Sequence, residues 1–254
     1  MFKRKSNINL RGSRIISFIG ARGGAGTTTI SLNVAQSLAN AGKSVLYVDG
    51  DLNNPSAYLY LGVKVDDMNI ALMKGLRQES KLDSLLLPTK NKRIKLISES
   101  PLIGYGMLGD ANLPAIHKMI DDAAEAFDAV IIDCPSNYEA VFTIAAIEKS
   151  NDIIMVTDGD SSSLVRMSKM KDFIRSFSGI DKLNACIVNK AICRTFSREV
   201  MDNVGFSLLF TIGHSQAIYE IGNKQEIVLK VKSMSEEVNE FKTAISTLIG
   251  YITR

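Results

Sequence analysis

The chain has 254 residues, 46% of them hydrophobic, and a net charge of only +3. That composition suffices for one large core, and regularly spaced apolar runs argue for one folded unit over 14–254 behind a basic tail over 1–13. No run reaches the roughly eighteen apolar residues of a membrane span, and no signal-peptide core follows the basic start, which argues against a secreted or integral membrane protein.

Lys3, Arg4, Lys5, Arg11 and Arg14 supply much of the positive excess and read as a solvated terminus, with acidic lipid or nucleic acid as the sharper alternative. Cys134, Cys186 and Cys193 are odd in number and form no C-x-x-C pair. Neither a disulfide framework nor a zinc site is therefore indicated, and the cytoplasm is the expected compartment.

Ile15–Ile19 is an apolar, β-branched run that ends in a glycine-rich turn, and a helix is expected from near Thr27 with Ile30, Val34 and Leu38 on one stripe. Gly20, Gly23, Gly24 and Gly26 allow the backbone to curl closely around an anion, where unpaired helix-start amides and the helix dipole converge. Thr28 falls where the ordinary phosphate-binding loop, G-x-x-x-x-G-K-[ST], has its magnesium-binding hydroxyl, but Ala21 replaces the first glycine and Thr27 the lysine.

Ser44–Asp49 reads as the second strand of a βαβ unit and brings Asp49 and Asp51 to its C-terminal end. The stretch 52–92 is harder to divide: short helices are expected at Tyr58–Leu61 and Met68–Leu76, and a turn at Pro88–Asn91. Ile94–Ser98 follows as a strand, Pro101–Asp110 as a loop, Leu113–Phe127 as a helix and Ala129–Asp133 as a buried strand. Three helix–strand pairs complete the pattern: Asn137–Lys149 with Ile153–Thr157, Leu164–Phe177 with Ala185–Asn189, and Arg198–Val204 with Leu208–Ile212. Glu236–Arg254 is amphipathic and reads as a terminal helix packed on the sheet, in preference to a membrane-surface helix.

About seven strands alternating with helices predict an α/β fold: a doubly wound, mostly parallel sheet with helices on both faces, with a closed barrel as the alternative. Ligands of open sheets bind beyond the carboxyl ends of the strands, and the glycine loop, Asp49, Asp51, Asp133 and Asn189 all fall there. Asp133, directly after an apolar run, calls for a polar partner or a metal. Asp49 is equally open to a capping role. His117 and His214 stand apart from any further ligand, which argues against a dedicated metal centre.

Together these residues resemble the ParA/MinD family of deviant Walker A ATPases. Arg22-Gly23-Gly24-Ala25-Gly26-Thr27-Thr28-Thr29 resembles K-G-G-x-G-K-[ST]-[ST], Asp49-Gly50-Asp51 its D-x-D, Phe127–Pro135 its Walker B, and Val188-Asn189-Lys190 its base-contacting V-N-[RK]. Within the family the loop is most similar to the TadZ/CpaE branch, whose members place Arg and Thr at the two lysine positions and serve type IVb (tight-adherence) pili. Ile212–Gly222 lacks the proline and aspartate of the corresponding family segment, so that segment's nucleotide contacts are not carried over.

The resemblance implies a P-loop NTPase of the SIMIBI type that binds ATP or ADP with Mg²⁺ and forms a homodimer with nucleotide at the interface. Amides of Gly23–Thr28 would hold the α- and β-phosphates, with Thr29 beside them in the nucleotide site, and Thr28, Asp133 and Asp49 would attend the metal. Asp51 would orient the attacking water, Asn189 and Lys190 would contact the base, and Arg22 would reach the partner's phosphates. Without the Thr27-position lysine, hydrolysis is expected to be weak or absent. The implied partners are pilus or secretion machinery, with polar or peripheral placement at the inner face of the membrane. The alternative is a positioning or plasmid-partition ATPase on DNA, for which Lys149, Lys169, Lys171, Arg175 and Lys182 would supply a basic surface.

Overall fold

The computed structural model describes residues 10, 12–68, 72–78, 80–102, 112–178, 183, 185–192, 201–202 and 205–253. Lys3, Arg4, Lys5 and Arg11 of the basic tail, most of the expected loop at 101–110, Lys182, Cys193 and most of the expected helix at 198–204 lie outside the described residues.

Among the described residues eight strands form one open sheet: β1 (Arg14–Gly20), β2 (Val45–Asp49), β3 (Leu87–Pro88), β4 (Ile94–Ile97), β5 (Ala129–Cys134), β6 (Asp152–Thr157), β7 (Ala185–Ala191) and β8 (Ser207–Gly213). Their spatial order is β3-β4-β2-β5-β1-β6-β7-β8, with all neighbours parallel except the antiparallel β3–β4 pair. The sheet is doubly wound, as expected, and its two free edges dismiss the barrel. The additional strand is β3, a two-residue piece at Pro88, where the sequence suggests only a turn. A proline cannot donate to a ladder, so its place at the sheet edge is the tolerated one.

Among the described residues the α-helices with defined bounds are α1 (Thr27–Asn40), α2 (Ala57–Leu61), α3 (Leu72–Arg77), α4 (Leu82–Leu85), α5 (Leu113–Ala126), α6 (Val141–Lys149), α7 (Ser161–Ser178), α8 (Gln216–Asn223) and α9 (Glu236–Ile252). Strand residues alternate between two cores, as a period of two requires. Ile16, Phe18, Tyr47 and Ile131 face α1 and α9, whereas Ile15, Ile19, Leu46 and Ile132 face α5, α6 and α7. The apolar side of α9, formed by Val238, Phe241, Ile245, Leu248, Ile249 and Ile252, is buried against the first of these cores. Among the described residues, no helix is long and apolar enough to cross a membrane.

Two departures from expectation have a visible cause. Helix α6 begins at Val141 instead of Asn137, because Asn137 is used in a turn: its carbonyl accepts the Thr143 hydroxyl at 3.0 Å. Helix α8 lies in a stretch with no expected helix; the Ser215 hydroxyl caps it by accepting the Ile218 amide at 3.2 Å.

Candidate functional site

The turn between β1 and α1 crosses the C-terminal end of the sheet. Ala21 extends β1 by donating its amide to the Val156 carbonyl at 2.8 Å, and its methyl is buried, so the position of the usual first glycine belongs to the core here. Gly24 and Gly26 then take left-handed angles, φ 79° and 92°. At Gly26 a side chain is doubly excluded, since a Cβ would come within 2.2 Å of Asn189 Nδ2.

That close approach reflects a clasp from β7. Asn189 Nδ2 donates to the Ala25 carbonyl and Lys190 Nζ to the Gly24 carbonyl, both at 2.8 Å. With its outward carbonyls tied down, the loop is held with its amides on the opposite side. Helix α1 starts at Thr27 without a side-chain cap and with no acidic residue in its first turn, leaving its positive end available to an anion. Arg22, Gly23, Thr28, Asp51, Asp133 and Lys190 are among the residues lining the resulting open cleft of about 290 Å³. A larger groove, about 1140 Å³, lies between β8 and α9. The smaller cleft is the candidate because the glycine loop, the uncapped start of α1 and the strand-end acids converge there.

Asp133 is the penultimate residue of β5, which is buried throughout, and stands level with Asp49 of β2. Its Oδ2 accepts the Tyr47 hydroxyl at 3.0 Å, while Oδ1, also buried, has no hydrogen-bond partner among the described residues. Burial, then the neighbouring Asp49 charge, push its carboxyl up to about 8, although the Thr28 and Tyr47 hydroxyls pull the other way. A buried carboxylate oxygen without a partner, beside Thr28 and an amide cradle, suits a metal shared with phosphate oxygens. Magnesium is commonly held in that way, by one or two protein groups plus substrate. Among the described residues, no group of three or more His, Cys, Asp or Glu forms a metal site of its own.

Asp49 is differently employed. Its Oδ2 accepts the Ser56 and Ala57 amides at 2.8 and 2.9 Å, and its Oδ1 accepts the Asp51 amide at 3.3 Å. Burial raises its pKa to about 6 against the pull of these three amides. Of the two roles open to it, metal ligand and cap, the geometry supplies partners for the cap. Asp51 reaches the cleft, with Oδ1 accepting the Asn54 amide at 3.1 Å.

Arg22 turns inward to its own chain: it pairs with Asp158, and its Nε lies 3.6 Å from Asp160. The guanidinium pKa is raised, chiefly by the hydrogen bond to Asp158. These two acids and Tyr47 are site residues that the sequence reading missed. The available signals were a second Asp-Gly-Asp at the end of a strand, mirroring the first, and one tyrosine in an otherwise aliphatic SVLYVD run.

The expected basic surface is thinner than its residues suggest. Lys171 is buried, with its ammonium on the Gly205 carbonyl, and Lys149 pairs with Asp121 at 2.6 Å. Cys134 and Cys186 are both buried free thiols, and burial pushes the Cys186 thiol up to about 12.

A family model described as an AAA domain matches residues 13–187. The septum site-determining protein MinD of Synechocystis is 29% identical over 94% of this chain and 90% of its own length. The chromosome partitioning protein ParA of Myxococcus xanthus is 27% identical over 62% of this chain and 56% of its own. Among solved structures, MinD of Pyrococcus horikoshii complexed with Mg-ADP superposes with a TM-score of 0.77 at 25% identity, covering 93% of this chain and 96% of that one.

Proposed function

The chain belongs to the AAA domain family, among its MinD- and ParA-like P-loop ATPases, and from that premise we propose that it is an ATP- and magnesium-dependent positioning switch. In this reading ATP binding builds a homodimer, and hydrolysis is slow. The observation that carries it is the uncapped start of α1 facing the orphan oxygen of Asp133.

Amides from Gly23 through Thr29 hold the phosphates, Thr28 and Asp133 hold the metal, and Asp51 orients the attacking water. Asn189 and Lys190 steady the loop on the base side. Magnesium, when bound, neutralises phosphate charge as the transferred group departs. Thr27 carries no charge to assist in this. Arg22, released from Asp158, reaches the phosphates of the second subunit, where a guanidinium can bind in bidentate fashion.

A positioning or partition role is favoured over pilus assembly because the compared relatives are septum-site and chromosome-partition proteins. The TadZ/CpaE reading keeps one support, Arg and Thr at the two lysine positions.

The test is sizing by light scattering with and without ATP·Mg for the parent, Arg22→Ala and Asp51→Ala proteins. The expected result is a doubled mass for the parent and for Asp51→Ala, and a monomer for Arg22→Ala. An unchanged parent mass, or turnover of tens per second, would overturn the proposal.

A further inference from the structure

Tyr47 is the one aromatic residue of β2, fully buried between the sheet and α1. A buried phenol needs a partner for its hydroxyl, and here it has two. Its oxygen lies 2.7 Å from Ser31 Oγ on α1 and 3.0 Å from Asp133 Oδ2 on β5. Ser31 Oγ also stands 3.2 Å from the Thr28 carbonyl, one turn earlier in the same helix. The three groups therefore tie the helix turn that bears Thr28 to the carboxylate of Asp133 through a side chain on the strand between them.

With Asp133 ionised, the Tyr47 proton goes to Oδ2, and the single Ser31 proton goes to the Tyr47 oxygen instead of the Thr28 carbonyl, so that Ser31 is linked to Thr28 through the helix backbone. Both donors are then aligned toward the carboxylate, and each bond polarises the next. The carboxylate is held at Oδ2, which leaves Oδ1 as the buried oxygen without a hydrogen-bond partner among the described residues.

We propose that Tyr47, braced by Ser31, is a positioning residue for the metal: it fixes the Asp133 carboxylate with Oδ1 turned to the cleft and sets its spacing from Thr28. The inference rests on the magnesium-nucleotide reading above and adds to it a group that never touches metal or phosphate. Hydrogen-bond partners of this outer kind commonly change metal affinity by about 10- to 100-fold when removed.

The readout is the magnesium contribution to ADP affinity: the ratio of dissociation constants, by calorimetry, in EDTA and in excess Mg²⁺. Tyr47→Phe keeps the ring and removes only the hydroxyl. The ratio is expected to fall about tenfold while affinity in EDTA stays within about twofold of the parent. Ser31→Ala, which leaves the phenol in place, is expected to lower the ratio by a smaller factor, and this variant carries the test if Tyr47→Phe does not fold. A purely structural tyrosine would weaken both affinities together or neither, and either outcome in a folded variant would overturn the inference. A parent that binds ADP with no magnesium effect would also overturn it. A parent that binds no nucleotide at all would remove the underlying reading, and the inference with it.

Discussion

The tripeptide Asp-Gly-Asp stands at the ends of two strands of this sheet, as Asp49-Gly50-Asp51 from the last residue of β2 and Asp158-Gly159-Asp160 directly after β6, with opposite electrostatics. Both copies bind the start of the following helix. Asp49 accepts the Ser56 and Ala57 amides at α2, and Asp160 accepts the Ser163 amide at 2.7 Å in the first turn of α7. Asp49, however, is 2% exposed and pairs with no cation among the described residues, and burial raises its pKa to about 6. For Asp158, burial pushes upward, but hydrogen bonds from Arg22 and Ser163 and the Arg22 charge outweigh it, leaving the pKa lowered. Asp160 is lowered too, first by the Ser163 amide. A motif sets which amides an acid can reach, whereas burial and the nearest cation set its charge.

The sharpest break of that comparison is the loss of each loop's leading acid. Asp49→Ala strands three amides and is expected to cost about 3 kcal/mol in urea unfolding. Asp158→Ala removes a partner of the half-exposed Arg22 and is expected to cost a small fraction of that, with its cost shrinking further in salt. Equal costs would mean that burial does not separate the two copies.

Acidity provides the next contrast. Asp49 at about 6 and Asp133 at about 8 hold protons in the folded protein that the unfolded chain releases near 4. A raised carboxyl group stabilises the fold most at low pH, and this contribution is lost as pH rises through the folded value. The free protein is therefore expected to lose stability between about pH 5 and 8, most visibly in its melting temperature. Asp133→Asn, which mimics the protonated form, should flatten the upper part of that fall. Asp158 and Asp128, both lowered, act only on the acid side and leave this window undisturbed.

The smallest expected effect concerns the second loop and the dimer. Asp158→Asn keeps the shape and removes the charge that holds Arg22. Half-maximal dimerisation should then need about two- to fivefold less ATP in a sizing titration, given the modest worth of a half-exposed ion pair. A higher requirement would mean that Asp158 acts in the dimer itself.

Much of the architecture was legible in the chain. Parallel strands buried on both faces need nearly continuous apolar runs, and VLYV, AVII, IIMV and, with Ser17 as its one polar residue, ISFI provide them, with helical stripes between. The glycine loop and Asp133 were legible for a related reason: each breaks a local rule, the one calling for an anion and the other for a polar partner or a metal. The weakly patterned stretch 52–92 was not, because helices of four to six residues carry too few turns to show a period and Pro88 conceals an edge strand. Helix α8, at eight residues, shows a similarly short pattern, although its Ser215 cap was a usable sign.

The sequence by itself determined the alternation of strand and helix, the glycine turn and the acids at strand ends, all of which follow from local periodicity and backbone freedom. Only the tertiary structure decided which groups meet: Asn189 and Lys190 on the loop carbonyls, Arg22 on Asp158, and Tyr47 beneath Asp133. Those contacts join residues from 86 to 166 positions apart. Hydrogen bonds and charge pairs act over a few ångströms of space, and no spacing along the chain encodes that proximity until the sheet has brought its strand ends together.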